Sequence, residues 1–296
     1  MASPSKKVFI TGINSFTAKH LCGELSSHGY DIYGCDINVD ADEKTFNCDI
    51  TKRDQVAKCL AAVQPDYIVH LGAITYVPSS DVSLIYQVNT IGTANLLEEC
   101  LKYDNIKKIL LPSTSNVYGN PDVEVIDETC PTLPVSHYAV SKLAMEQMAT
   151  LSFGKLPIII TRPFNYTGVG QPDKFVIPKI IKHFKEKAHV IEMGTTSVIR
   201  DFSDVRFVCS SYRKLLECDA KSVAVNICTG KEHSLDELLD YARKVTGHNI
   251  EKITNPEFVR PNEIQKLIGD NSLLRKCVGE LDTIDFHDTI EWMLGG

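Results

Sequence analysis

The sequence predicts an α/β fold, a doubly wound parallel sheet with a smaller C-terminal lobe. Three observations predict it. Short apolar runs alternate with helical stretches over the first 166 residues, the first run ends in a glycine turn that opens a helix, and the runs are apolar throughout. A strand covered by helices on both faces has no solvent side, so its apolar residues come unbroken.

The elements follow in order. Val8–Thr11 is a first strand, Leu21–Leu25 lies in a helix that His28-Gly29 ends, and Ile32–Asp36 is a second strand. Asp54–Val63 has helical spacing and stops at Pro65-Asp66; Tyr67–Leu71 is a buried strand; Val82–Tyr103 reads as one long helix. Ile106–Leu111, Ser136–Leu151 and Ile158–Arg162 continue the rhythm as strand, helix and strand. Glycine and proline then cluster between Pro163 and Pro178, which predicts a loop crossing to a second lobe. Phe175–Phe184 reads as a helix, Val223–Cys228 as a further strand of the main sheet, Leu235–Val245 as a helix and Asp285–Leu294 as the last helix. Ser234 and Glu237 form a capping box at the start of the 235–245 helix.

Composition narrows the function. A chain of 296 residues with 43% hydrophobic and 23% charged residues is long enough for a nucleotide-binding core and a second lobe. The net charge of −7 and the lack of a Lys/Arg block argue against nucleic acid or an anionic membrane as partner. The ten cysteines include no C-x-x-C pair, so buried free thiols in a reducing compartment are expected, without a metal centre or a disulfide framework. No stretch has the length of a signal or membrane segment, and the expected place is the cytoplasm.

The first strand runs into Thr11-Gly12-Ile13-Asn14-Ser15-Phe16-Thr17-Ala18. Backbone N–H groups at such a turn and the N-terminus of the following helix favour a pyrophosphate, so Gly12, Asn14, Ser15 and Phe16 are candidate dinucleotide contacts. This is the Rossmann-type arrangement, and a plain strand-to-helix turn is the alternative reading. Asp36 ends the second strand about 20 residues past the turn, where an acid accepts from ribose hydroxyls and repels a 2′-phosphate. That favours NAD (as NADH) over NADP. Asp49-Ile50 suits an adenine edge, or else a cap before Lys52. Leu71-Gly72-Ala73 offers small residues against which a dinucleotide can lie.

Tyr138 and Lys142 are four apart at the start of the 136–151 helix, hence on one face. An ammonium beside a phenol lowers its pKa from about 10, which allows proton exchange with a substrate oxygen near neutral pH. Upstream, a buried strand ends in Pro112-Ser113-Thr114-Ser115-Asn116-Val117-Tyr118-Gly119, which puts hydroxyls at a strand's carboxyl end, where open α/β sheets bind ligands.

With these residues the chain resembles the extended short-chain dehydrogenases, the NAD-dependent epimerase/dehydratase family. Its S-[ST]-x-x-V-Y-G pattern falls on Ser113–Gly119. The resemblance implies Thr114, Tyr138 and Lys142 as catalytic residues, with Tyr138 and Lys142 also beside the cofactor and Asn89 on the helix supporting the site. The chain departs from the family's T-G-x-x-G-[FY]-x-G at Ser15 and Ala18, and Ser15 puts dinucleotide affinity in question. Arg162–Gln171 and Arg200–Arg206 are similar to the R-P-F-N-x-x-G-P-G-Q and R-D-F-T-D-V-R of the family's GDP-4-keto-6-deoxymannose reductases, with Val169 in place of proline; Arg260-Pro261 and Leu267–Ser272 also match that group.

The resemblance implies reduction of the C4 ketone of a nucleotide-linked 4-keto-6-deoxyhexose, with GDP the first expectation and dTDP or CDP next. Residues 1–166, with about 203–230 returning to them, are then the dinucleotide unit, and 167–296 mainly the sugar-nucleotide lobe. Pro163 falls near the nicotinamide; Ser115, Asn116, Asn165, Lys179, Arg200 and Arg260 fall on the substrate. A 4-epimerase is the second reading. A 4,6-dehydratase is disfavoured, because Asn116 stands where such enzymes carry an ionisable residue. An idle nucleotide-binding scaffold on the same fold is the non-enzyme alternative. His70 and His137 read as structural. By analogy with the family, helices 82–103 and 136–153 pair across a two-fold axis into a homodimer.

Overall fold

The structure, a computed structural model, describes residues 6–75, 81–259 and 264–296. Seven strands make the central sheet: β1 (Lys6–Thr11), β2 (Tyr30–Asp36), β3 (Thr45–Asn47), β4 (Tyr67–His70), β5 (Lys108–Pro112), β6 (Ile158–Pro163) and β7 (Val223–Ile227). They run in the order β7-β6-β5-β4-β1-β2-β3, every pair parallel. The order reverses between β1 and β4, and the carboxyl ends on either side of that point border the cleft where such sheets bind ligands. The predicted doubly wound α/β fold is therefore the fold observed.

The helices are α1 (Phe16–Ser27), α2 (Arg53–Val63), α3 (Val82–Tyr86), α4 (Thr93–Cys100), α5 (His137–Thr150), α6 (Val176–Lys185), α7 (Val205–Glu217), α8 (Leu235–Thr246), α9 (Ser272–Val278) and α10 (Phe286–Gly295). On one face of the sheet, Leu21 and Leu25 of α1 pack with Val208, Tyr212 and Leu215 of α7 against β1 and β7. On the other, Leu60 of α2, Leu96 of α4 and Met145 of α5 cover Phe9, Ile68 and Ile109. A separate core joins Ile180 and Phe184 of α6 to Leu238 and Leu239 of α8 and Ile290 of α10.

Hydroxyl and carboxylate caps set several helix starts. Ser136 accepts from Ala139 N at α5 and Ser234 from Glu237 N at α8. Only half of the expected capping box forms, because the Glu237 carboxylate turns to His233 Nδ1 at 3.2 Å.

The structure differs from the reading in several places. The expected helix 82–103 is α3 and α4 joined by a π-helical turn, Gln87–Gly92, and it ends at Cys100. The expected loop after Pro163 holds a short strand, Asn165–Thr167, paired in parallel with Phe202–Asp204. Helix α7 was not foreseen. Its first turns carry Val, Phe, Cys and Ser, which favour helix weakly; the Asp204 cap on Arg206 N and burial against the sheet hold it instead.

One buried ion pair sets the position of α5. Arg162 on β6 is 7% exposed and Glu146 on α5 is 2% exposed. The guanidinium donates from Nη2 to Glu146 Oε2 at 2.7 Å and from Nε to Oε1 at 3.1 Å. Its Nη1 donates to Tyr118 OH at 2.9 Å, and that phenol donates to Asn226 Oδ1 on β7 at 2.7 Å. Removing one partner of such a pair leaves a buried charge unmatched, at a cost of about 3–5 kcal/mol. Glu146→Ala is expected to lose that much in urea unfolding, and the double variant Glu146→Leu/Arg162→Met much less. A loss below about 1 kcal/mol for Glu146→Ala, the range of exposed pairs, would contradict this role.

Candidate active site

The glycine turn is built as a close approach. Gly12 has φ +70°, and a Cβ there would lie 2.8 Å from Gly72 N and 2.9 Å from the Leu71 carbonyl carbon. Leu71-Gly72-Ala73 thus lies directly against the turn, with Gly72 N donating to Thr11 Oγ1 at 3.0 Å. Ser15 has φ −66° and its hydroxyl accepts from Ala18 N, so the serine in the glycine's place serves as the cap of α1 and needs no left-handed backbone. Phe16 is the first residue of α1.

At the carboxyl end of β2, Asp36 Oδ2 accepts from Asn14 N at 3.2 Å and Oδ1 from Ile37 N at 2.8 Å. A cavity of about 610 Å³ opens beside it, lined by Ile13, Asn14, Asn38, Val39, Asp40, Thr45 and Asn47. Its size and its polar amides fit the adenosine half of a dinucleotide, and the Asp40 carboxylate in its lining fits hydroxyls better than a 2′-phosphate. Asp49 Oδ1 accepts from Thr51 N at 2.9 Å and from Thr51 Oγ1 at 2.7 Å, closing a turn before α2. Ile50 is buried, its side chain filling the space beside Gly72 and Gly92.

Thr114 follows β5, 7% exposed, with Oγ1 accepting from Asn116 N at 3.2 Å. Ser115 is buried and Asn116 half-buried in the short turn that Thr114 caps. Tyr138 and Lys142 are both buried on α5. The Lys142 Nζ donates to Pro112 O, the last carbonyl of β5, at 2.7 Å. The two residues and Thr114 therefore converge at the carboxyl end of β5. Asn89, inside the π-helical turn, accepts from Ile74 N at 2.8 Å and donates to Ile74 O and to Ser141 Oγ, both at 3.0 Å. It ties the 71–75 segment to α5.

Burial pushes the Tyr138 phenol well above the ordinary tyrosine range, the nearby Tyr166 phenol adds to this, and a hydrogen bond with Thr114 opposes it. The reading that Lys142 lowers this pKa is corrected by the structure: desolvation dominates, and the ammonium is turned to a carbonyl. Lys142 is itself lowered to about 8 by burial, against the pull of Glu146. His70 is lowered to about 3 by burial and by the Lys142 charge, so its ring is neutral. It bridges Thr11 Oγ1 at 2.7 Å and Thr93 Oγ1 at 2.9 Å. His137 is exposed beside the Tyr86 phenol, Nδ1 to OH 3.3 Å.

The remaining candidates lie toward the C-terminal lobe. Pro163 ends β6 and is buried; Asn165 is exposed on the next short strand. Lys179 on α6 donates to Glu192 O at 2.6 Å, its Nζ 4.4 Å from the centre of the Phe258 ring. Arg200 is 9% exposed, and its Nη1 donates to Ile199 O at 2.9 Å and Gln265 O at 3.4 Å. These two carbonyls hold Nη1. Arg260 lies outside the described residues. Glu146 escaped the sequence reading, although its spacing of four from Lys142 put it on the same helix face. The hydroxyl bridges of His70 carried no sequence signal. Among the described residues no group of histidine, cysteine or acidic side chains is placed to hold a metal.

A reversing parallel sheet, a dinucleotide turn at its first strand and a Tyr/Lys pair over its carboxyl ends define an NAD(P)-dependent oxidoreductase. Residues 8–228 match the model of the NAD dependent epimerase/dehydratase family, and the chain belongs to that family. It is 33% identical to GDP-6-deoxy-D-talose 4-dehydrogenase of Aggregatibacter actinomycetemcomitans, over 92% of this chain and 91% of that protein. It is 29% identical to GDP-6-deoxy-D-mannose reductase of Pseudomonas aeruginosa, over 98% and 96%. Among solved structures, one from Burkholderia cenocepacia J2315 is similar with TM-score 0.92 and 38% identity, covering 99% of this chain and 98% of the other. RMD from Pseudomonas aeruginosa, complexed with NADPH, follows with TM-score 0.85 and 27% identity, covering 98% of each.

The lowered pKa of Lys142 has a measurable consequence in the unliganded protein. Below about pH 8 the ammonium is charged both folded and unfolded, and its burial weakens the fold. Between about 8 and the ordinary 10.5 the unfolded chain binds a proton that the folded chain does not, so stability from this group rises with pH. Urea unfolding of wild type and Lys142→Met at pH 7 to 10 is expected to show the difference shifting in favour of wild type above pH 8; a constant difference would contradict the lowered pKa.

Proposed function

We propose that the protein reduces the C4 ketone of a nucleotide-linked 4-keto-6-deoxyhexose to the alcohol, with GDP as the first nucleotide and dTDP or CDP next. The observation that carries this reading is the convergence of Thr114, Tyr138 and Lys142 at the carboxyl end of β5, with β4 between it and the strand that leads into the turn at Gly12. The two curated relatives described above, both named for GDP-linked 6-deoxyhexoses, support the substrate class. Residues 1–166, with about 203–230, serve the dinucleotide and 167–296 mainly the sugar nucleotide.

Asp36 takes the adenosine ribose hydroxyls, with Asp49 and Ile50 toward the adenine. The turn from Gly12 through Phe16 faces the pyrophosphate, and Leu71–Ala73, Asn89 and Pro163 flank the nicotinamide half. NADH, when bound, supplies the hydride for C4. Thr114 and Tyr138 donate hydrogen bonds to the ketone oxygen, and Tyr138 gives that oxygen its proton. A phenol held protonated by burial suits an acid. Lys142, lowered to about 8, and a chain of hydroxyls or water then return a proton to the phenol. Ser115 and Asn116 face the sugar, and Asn165, Lys179, Arg200 and Arg260 make the nucleotide side. NADH is preferred to NADPH because Asp36 and Asp40 border the adenosine cavity.

The protein works in the cytoplasm as a homodimer. The helix pair expected at its two-fold axis exposes apolar Leu84, Ile91 and Val140, at 45%, 52% and 38%. No helix among the described residues is long and apolar enough to cross a membrane.

The test is NADH oxidation with GDP-, dTDP- and CDP-linked 4-keto-6-deoxyhexoses. Tyr138→Phe is expected to lower kcat by about 10²–10⁴, the usual worth of a placed proton donor, and Thr114→Ala by less. Turnover of none of these substrates by wild type, or full turnover by Tyr138→Phe, would defeat the proposal; tightly retained NAD with inversion at C4 would establish a 4-epimerase instead. Light scattering tests assembly: wild type is expected at twice the chain mass of 32.9 kDa and Ile91→Lys/Val140→Glu at the single mass.

A further inference from the structure

The segment 165–171 is wedged between the dinucleotide turn and the C-terminal lobe. On one side, a Cβ at Gly168 would lie 2.5 Å from Val205 Cγ1 at the start of α7 and 3.0 Å from the Trp292 ring of α10, so the backbone passes against both side chains. Toward the turn, His20 Nε2 on α1 donates to Val169 O at 2.9 Å. The Tyr166 phenol and the Thr17 hydroxyl share a hydrogen bond of 2.8 Å. The Phe16 ring stacks on the Tyr166 ring, centroids 6.3 Å apart and planes inclined by 16°. Within the segment, Gln171 Nε2 donates to Tyr166 O at 3.3 Å and Thr167 Oγ1 to Gln171 Oε1 at 2.6 Å, which stiffens the piece that carries Tyr166.

Phe16 and Thr17 are the first two residues of α1, at the helix end that faces a pyrophosphate. Asn165, next to Tyr166, stands on the nucleotide side of the proposed substrate site. The Tyr166 phenol is also near enough to Tyr138 to help that phenol keep its proton. One side chain therefore touches the start of the dinucleotide helix, adjoins the catalytic tyrosine and belongs to the strap that leads to the second lobe.

We propose that Tyr166 is a positioning residue: its hydrogen bond to Thr17 locks the 165–171 strap onto the start of α1 and so shapes the pyrophosphate end of the cofactor groove. The inference rests on the dinucleotide reading of the turn and deepens it. It also supplies a reason why Ser15 and Ala18 are tolerated in place of glycines. The start of α1 is braced from outside by Tyr166 as well as by its own cap.

The experiment measures Kd for NADH by nicotinamide fluorescence, with urea unfolding of each unliganded variant as control. Tyr166→Phe keeps the ring stack and removes the phenol. Thr17→Val removes the other half of the bond. Each is expected to weaken NADH binding about five-fold, the effect of one net hydrogen bond. The double variant should be no weaker than either single, because one contact is lost in all three. Thr17→Ser, which keeps the hydroxyl, should rescue the affinity that Thr17→Val loses. Wild-type affinity in Tyr166→Phe, or losses that multiply in the double variant, would overturn the inference while leaving the cofactor reading intact. Failure of the wild-type protein to bind either NADH or NADPH would overturn the dinucleotide reading and this inference with it.

Discussion

The interaction on which the site depends is the burial of Arg162 against Glu146. A charged residue on a central strand and another on the helix above it are each intolerable alone in a dry interior. Together, with Tyr118 accepting from Arg162 and donating in turn to Asn226, they favour one arrangement of α5 over the sheet. Lys142 and Tyr138 lie one and two turns before Glu146 on the same face. The pair thus acts as a fixed peg: the rotation of α5 that satisfies it also brings the ammonium to the last carbonyl of β5 and the phenol toward Thr114.

Desolvation then decides the charge state of the site. Lys142 has no carboxylate bonded to its Nζ among the described contacts, and Glu146 offsets burial only in part. His70 is dry and close to Lys142, so its ring stays neutral and acts as a two-ended hydrogen-bond bridge between the dinucleotide strand and the start of α4. Tyr138 keeps its proton for the same reason that Lys142 gives one up more easily. Both side chains are more stable uncharged in this environment.

Much of this was legible in the sequence. Unbroken apolar runs between helical stretches gave the parallel sheet, because burial on both faces leaves a one-dimensional trace. The four-residue spacing of Tyr138 and Lys142 on one helix face and the strand-end place of Thr114 were also readable, since helical and strand periodicities convert directly into shared faces. Other features left no such trace. Helix α7 begins with residues of weak helix preference and is held by packing. The short strand Asn165–Thr167 hides in a glycine-rich stretch because its partner, Phe202–Asp204, is far away in the chain. The direction of the Tyr138 shift was misread, since a neighbouring charge is visible in a motif whereas dryness is a property of the assembled core. Arg200 was read by its charge, and its tie to the Gln265 carbonyl depends on a residue far away in the chain.

The π-helical turn at Gln87–Gly92 divides the labour of one long rod. Such a turn accommodates one residue more than an ordinary helical turn, so the pieces on either side are out of phase by roughly a quarter of a revolution. Leu84 on the leading piece is exposed, whereas Leu96, Leu97 and Cys100 on the trailing piece are buried under the sheet. A plain helix would have to compromise between the two orientations. The extra residue removes the compromise, and a single continuous backbone turns Leu84 outward at one end and lines the interior with Leu96, Leu97 and Cys100 at the other.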